Sequence, residues 1–214
     1  MVYNPIRVKI EEARPLDSLT CPSHYLDSLD SILIPKGWIE NRIEKMALDI
    51  RNDYIGKELM IICVLKGAKK FHSDLTGCID SLNSNNGQSV PFKEDFLRAK
   101  SYTGDKSSGN VRLTMADFKD LEGKHILLVE DIVDSGETMK MILPALRQHK
   151  PASLKVASLL VKDVPKVDNY LPDYAGFIIP PVFVVGYCLD YNEHFRDLSH
   201  ICIINEHGKE KYKQ

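Results

Sequence analysis

The run Leu59-Met-Ile-Ile-Cys-Val-Leu65 places seven apolar side chains in succession. A strand with one wet face alternates polar and apolar residues. An unbroken run of this length therefore fits a strand covered on both faces. Strands of the same kind are expected over His125 to Glu130 and Leu154 to Val161. Between them, Ile39, Ile43, Met46, Ala47 and Ile50 recur at helical spacing, which predicts an amphipathic helix over Trp38 to Tyr54. Further helices are expected over Phe71 to Leu82 and Thr138 to His149. Shorter strands are expected at Ile32 to Ile34, stopped by Pro35, and at Pro91 to Lys100, Val182 to Tyr187 and Ile201 to Asn205. Pro165, Pro172, Pro180 and Pro181 exclude long helices from their stretch. Buried strands alternating with helices predict an α/β fold with a mainly parallel, twisted sheet flanked by helices. Ligands of such a sheet lie beyond the carboxyl ends of its strands.

A chain of 214 residues suits one domain over 1–214. Its formal charge of -2 supplies no global attraction to nucleic acid or acidic membranes. No apolar run approaches the roughly 20 residues that span a bilayer, and Met1 to Glu12 lacks the apolar core of a signal peptide. The five cysteines form no Cys-x-x-Cys pair, and Cys63 and Cys202 sit in apolar runs. They read as reduced core residues of a cytoplasmic protein. Lys209 to Gln214 reads as a solvated tail, and the polar, Gly-containing stretch Ser101 to Asn110 as a loop.

The chemistry concentrates in Ile126-Leu-Leu-Val-Glu130-Asp131-Ile-Val-Asp134-Ser135-Gly136-Glu137-Thr138. A buried strand ends in two acids, and a short loop with two hydroxyls and a glycine leads into a helix. The loop and the helix N-terminus offer free backbone N–H groups and the positive end of a dipole, suited to a phosphate monoester. Gly136 permits close backbone approach, and Ser135 and Thr138 add hydroxyl donors. The acids suit a neighbouring diol, or a Mg²⁺ that bridges diol and pyrophosphate. The run lacks the Gly-x-x-x-x-Gly-Lys of a P-loop and the Gly-x-Gly-x-x-Gly of a dinucleotide turn.

This run resembles the phosphoribosyl pyrophosphate signature of type I phosphoribosyltransferases. The blocks Val64-Leu-Lys66-Gly67, Lys100-Ser101-Tyr102, Lys155 to Lys162 and Phe183 to Leu198 extend the resemblance to the hypoxanthine-guanine branch, in order and spacing. The resemblance implies a small hood lobe, built from the N-terminal segment and about 165–214, and a lid over about 100–113. It implies transfer of the 5-phosphoribosyl group from phosphoribosyl pyrophosphate to hypoxanthine or guanine, with Mg²⁺, and a homodimer or homotetramer. Glu130 and Asp131 would bind the ribose hydroxyls and metal. Residues Asp134, Ser135, Gly136, Glu137 and Thr138 would hold the 5′-phosphate, with Asp134 also the general base at purine N7. Lys66, Gly67, Ser101, Tyr102 and Arg196 would contact pyrophosphate, and in the family the peptide at Lys66-Gly67 can be cis. Lys162 would donate to the purine 6-oxo group and Phe183 would stack on the base. Val184 and Asp190 would read its other edge, and Asp190 would also hold metal through water.

The chain departs from the family at several positions. Glu137 stands where lysine is usual, Ala68 where a second glycine is usual, and Asp163 where a basic residue follows Lys162. Lys166 replaces an arginine and Cys188 an alanine. These changes keep a second reading open, a divergent paralogue that binds purine nucleotide without efficient turnover. A regulator on the same fold that binds RNA would need a basic surface, which the charge balance does not favour.

Overall fold

The computed structural model describes residues 4–85, 89–100, 112–115 and 121–214. In chain order its elements are β1 (Ile6–Arg7), β2 (Leu29–Ile34), α1 (Lys36–Tyr54), β3 (Leu59–Leu65), α2 (Lys69–Asn85), β4 (Phe92–Lys100) and β5 (Arg112–Thr114). Then follow β6 (His125–Val133), α3 (Glu137–Arg147), β7 (Ser153–Lys162), β8 (Tyr174–Ile179), β9 (Val184–Val185), β10 (Ile201–Ile204) and α4 (Glu206–Lys211). The large sheet has the order β1-β8-β7-β6-β3-β4-β5. Its neighbours are parallel except β5, which runs antiparallel to β4. A small antiparallel sheet has the order β2-β10-β9.

The apolar runs become central strands because both faces are covered. Leu59 and Ile61 of β3 and Leu127 and Val129 of β6 point to one face, against Ile39, Ile43, Met46 and Ile50 of α1 and Phe71, Leu75 and Ile79 of α2. Met60, Ile62, Ile126 and Leu128 alternate to the other face, against Met139, Ile142, Leu143 and Leu146 of α3. Strand periodicity alone performs this division.

Strand β8 has no counterpart in the sequence reading. The flanking Pro172, Pro180 and Pro181 argue against helix, and the glycine within Tyr174-Ala-Gly-Phe-Ile-Ile179 weakens any strand signal. The structure needs that glycine, because a Cβ on Gly176 would lie 2.4 Å from the Leu159 carbonyl oxygen. Buried Arg42 of α1 ties the strand down, donating to the carbonyls of Gly176 (3.0 Å), Ala175 (3.1 Å) and Asn4 (2.8 Å). Residues 174–179 therefore belong to the large sheet, as does β1. The small sheet is built from 29–34, 184–185 and 201–204.

The C-terminal tail is also corrected. Asn205 caps α4 by accepting from the Gly208 amide at 2.8 Å. Lys211 pairs with Asp27 at 3.0 Å, and the Tyr212 ring stands edge-on to Phe195 at 4.9 Å. A six-residue helix is too short for its period to stand out from a charged tail. All five cysteines are free, with Cys63 and Cys202 buried as expected. Among the described residues, no helix is long and apolar enough to cross a membrane.

Candidate active site

Strand β6 does not stop at Glu130 but continues to Val133, because Glu130, Ile132 and Val133 pair with Ser158, Leu160 and Val161 of β7. The two acids are therefore strand residues on opposite faces. Asp131 turns towards Gly67, where a Cβ would lie 1.7 Å from its Oδ2, so only glycine fits beside this carboxylate. The Asp131 Oδ1 accepts from the Ile132 amide at 2.9 Å. Glu130 is buried, and its Oε2 has no hydrogen-bond partner among the described residues. Burial, and then the charge on Asp131, pushes its carboxyl well above the ordinary range.

The loop after β6 turns at Gly136, whose φ of 90° is left-handed and serves as the N-cap of α3 with no side-chain cap. Asp134 is thus not the cap, and the first amides of α3 remain available to an anion. Residues 130–139 line a cavity of about 280 Å³ around this turn. Thr138 and Glu137 are exposed at its rim, and Ser135 is half-buried. A segment that sequence reasoning missed backs the turn. The Val167 amide donates to the Ser135 carbonyl at 2.8 Å, and a Cβ on Gly136 would lie 3.6 Å from the Tyr170 ring. Non-local packing of this kind leaves no periodic signal in sequence.

A second cavity, of about 230 Å³, adjoins the first and shares Asp131, Ile132 and Asp134 with it. Its other walls are Lys162, Phe183, Val184, Leu189 and Asp190. Lys162, at the carboxyl end of β7, donates to Asp134 at 2.6 Å. Asp163, just past the end of β7, pairs with Arg7 of β1. Lys166 turns inward and donates to the carbonyls of Lys162 and Val164. Burial lowers its pKa. Phe183 lies just before the short strand β9 and keeps 43% of its surface exposed, with Tyr191 edge-on at 5.5 Å and 87°. The expected strand over Val182 to Tyr187 shrinks to β9 because Gly186 adopts a φ of 94° and closes a turn onto Leu189.

Lys66 and Gly67 follow the carboxyl end of β3. The cis peptide lies at Leu65–Lys66, one bond earlier than expected. Ala68 is fully buried and does not have a positive φ, so a second glycine is not required there. Arg196 donates to the Cys188 carbonyl (2.7 Å) and pairs with Asp190 (2.8 Å) and Glu193 (3.2 Å). Tyr187, Cys188, Asn192, Glu193 and Phe195 all have positive φ. Such a concentration of left-handed backbone in non-glycine residues persists only where surrounding contacts over-determine it. Ser101 and Tyr102 lie outside the described residues, as does most of the expected lid. Every other predicted site residue stands at this end of the molecule.

Among the described residues, no cluster of three or more acidic, His or Cys side chains could hold a metal by itself. Mg²⁺ commonly keeps several waters and takes only one or two carboxylates beside substrate phosphates. The half-buried carboxylates of Asp131 and Asp190 on one cavity fit that donor chemistry, whereas buried Glu130 fits it less well.

Residues 35–192 match the family model described as "Phosphoribosyl transferase domain". The chain is 47% identical to hypoxanthine-guanine phosphoribosyltransferase of Sus scrofa, with 95% of this chain and 94% of the relative covered. It is 50% identical to phosphoribosyltransferase domain-containing protein 1 of Homo sapiens, over 92% and 88%. The solved hypoxanthine-guanine phosphoribosyltransferase of Schistosoma mansoni, in complex with IMP, superposes with a TM-score of 0.82 at 35% identity, covering 98% and 99%. A phosphate-type turn joined to a lysine- and phenylalanine-walled cavity on this sheet thus agrees with the similarity along nearly the whole chain, which belongs to the phosphoribosyltransferase family, in its hypoxanthine-guanine branch, and is a pentosyltransferase.

Proposed function

We propose that the chain transfers the 5-phosphoribosyl group from phosphoribosyl pyrophosphate to N9 of hypoxanthine or guanine, giving IMP or GMP and pyrophosphate. The observation that carries this is the shared wall of the two cavities. Asp134 borders both the α3 turn, suited to a 5′-phosphate, and the chamber of Lys162 and Phe183, suited to a 6-oxopurine.

The residues divide the work as follows. The amides at the start of α3, with Ser135 and Thr138, hold the 5′-phosphate. Lys162 donates to the 6-oxo group, which adenine lacks, while Phe183 stacks on the ring and the Val184 backbone meets its edge. Asp134 accepts the N7 proton as N9 bonds to the anomeric carbon and the bond from that carbon to pyrophosphate breaks. Its contact with Lys162 orients the carboxylate and must loosen as the base enters. Lys66, Gly67 and Arg196 receive the departing pyrophosphate. Asp131 and Asp190 would hold Mg²⁺, which supplies positive charge to the pyrophosphate when bound. Glu137, exposed at the rim, leaves backbone donation intact.

A second reading, a nucleotide-binding paralogue with weak turnover, draws on the 50% identity to a relative named only for its domain. Purified protein incubated with Mg²⁺, phosphoribosyl pyrophosphate and each of hypoxanthine, guanine, xanthine and adenine distinguishes the two. Product from hypoxanthine or guanine, absent with EDTA, supports the enzyme. IMP binding without product from any base supports the paralogue.

A further inference from the structure

We infer that Glu193 competes with pyrophosphate for Lys66 and Arg196, and so sets how tightly this end of the site holds the leaving group. The inference rests on the reading of these two cations as the pyrophosphate subsite. Glu193 bridges them, with Oε2 at 2.9 Å from Lys66 Nζ and Oε1 at 3.2 Å from the Arg196 guanidinium. The cations stand 130 positions apart in sequence, and one carboxylate spans both. Asp190 also pairs with Arg196, at 2.8 Å.

Backbone geometry aims the Glu193 side chain. Its amide donates to Asp190 Oδ2 at 2.8 Å, and its φ of 70° lies in the left-handed region. The two cations hold the Glu193 carboxyl below the ordinary range, Lys66 contributing first. A pyrophosphate would draw on the same two cationic heads whose charge this carboxylate partly neutralises, so the two anions compete for them.

The ion pair is displaceable. The Glu193 and Lys66 side chains are 57% and 55% exposed, so water screens the attraction. A pair this exposed shifts affinity by about three- to fivefold rather than by orders of magnitude. Glu193 thus acts as a modest, built-in competitor that favours release of pyrophosphate after transfer. Among the described residues its side chain lines neither the phosphate turn nor the base cavity.

The test is calorimetric titration of the full chain with magnesium pyrophosphate and, separately, with IMP. Glu193→Gln keeps the length and hydrogen bonding of the side chain but removes its charge. Pyrophosphate should bind the variant about three- to fivefold more tightly, with IMP affinity unchanged and pyrophosphate a stronger product inhibitor. Unchanged or weaker pyrophosphate binding by E193Q would overturn the inference, if Arg196→Ala still loses pyrophosphate relative to wild type. If Lys66→Ala and Arg196→Ala both bind pyrophosphate as wild type does, the subsite reading fails and the inference with it. A gain shared by IMP also overturns it, because Glu193 would then act on the fold rather than on these two cations.

Discussion

At the scale of single residues, the site rests on close approaches that admit few substitutions. Asp134 and Lys162 meet at 2.6 Å, which makes the carboxylate a placed acceptor rather than a helix cap. Asp134→Asn keeps the shape and removes the proposed base, so steady-state kcat should fall by about a hundredfold or more, with IMP affinity nearly retained. Undiminished turnover would take Asp134 out of that role. Gly67 is constrained differently, by the Asp131 carboxylate in the space that a Cβ would need. Gly67→Ala should displace Asp131 and raise the KM for phosphoribosyl pyrophosphate by about tenfold, equivalent to ~1.4 kcal/mol, and more than it raises the KM for hypoxanthine. An equal rise for both substrates would point to general distortion instead. The Asp134 to Thr138 turn into a helix was legible because its residues are contiguous. The Lys162–Asp134 pair and the Tyr170 wall were not, because partners 28 and 34 positions away leave no local pattern.

At the scale of elements, the C-terminal helix shows what a short segment contributes through its partners. Asp27 accepts from the Ser28 hydroxyl and from Lys211, and these contacts lower its pKa from 3.8 to about 2. A carboxyl lowered in the folded state adds stability above its ordinary pKa, and that contribution is lost as pH falls towards the folded value. Urea midpoints should therefore drop more steeply for wild type than for Asp27→Asn between pH of about 4 and about 2. Parallel curves would assign no such linkage to Asp27. The periodicity of α1 was readable from its apolar stripe, yet its buried Arg42 was not, since an arginine normally marks a wet face. That side chain is accommodated because three carbonyls, on β8 and at Asn4, accept from it.

At the scale of the whole molecule, the site is a junction between two sheets. The large sheet brings Lys66, Asp131, Asp134 and Lys162 to the carboxyl ends of β3, β6 and β7, and the chain around β9 supplies Phe183, Val184, Asp190 and Arg196. Gly186 sits at this junction with a φ of 94°, and a Cβ there would lie 2.1 Å from the His200 carbonyl oxygen. Gly186→Ala should cost about 1–3 kcal/mol of stability and raise the KM for both substrates, as thermal unfolding and kinetics would register. A variant of native stability would show that this turn relaxes freely. The apolar run of β3, the alternation of strands and helices, and the glycine turn into α3 were determined by sequence alone, because each depends on neighbours within about a dozen positions. Only the tertiary structure decided that β8 joins the large sheet, that Asp163 pairs with Arg7, and that Glu193 spans Lys66 and Arg196. Each of these depends on which face a residue presents and on what a distant segment places opposite it, and packing sets that where periodicity cannot.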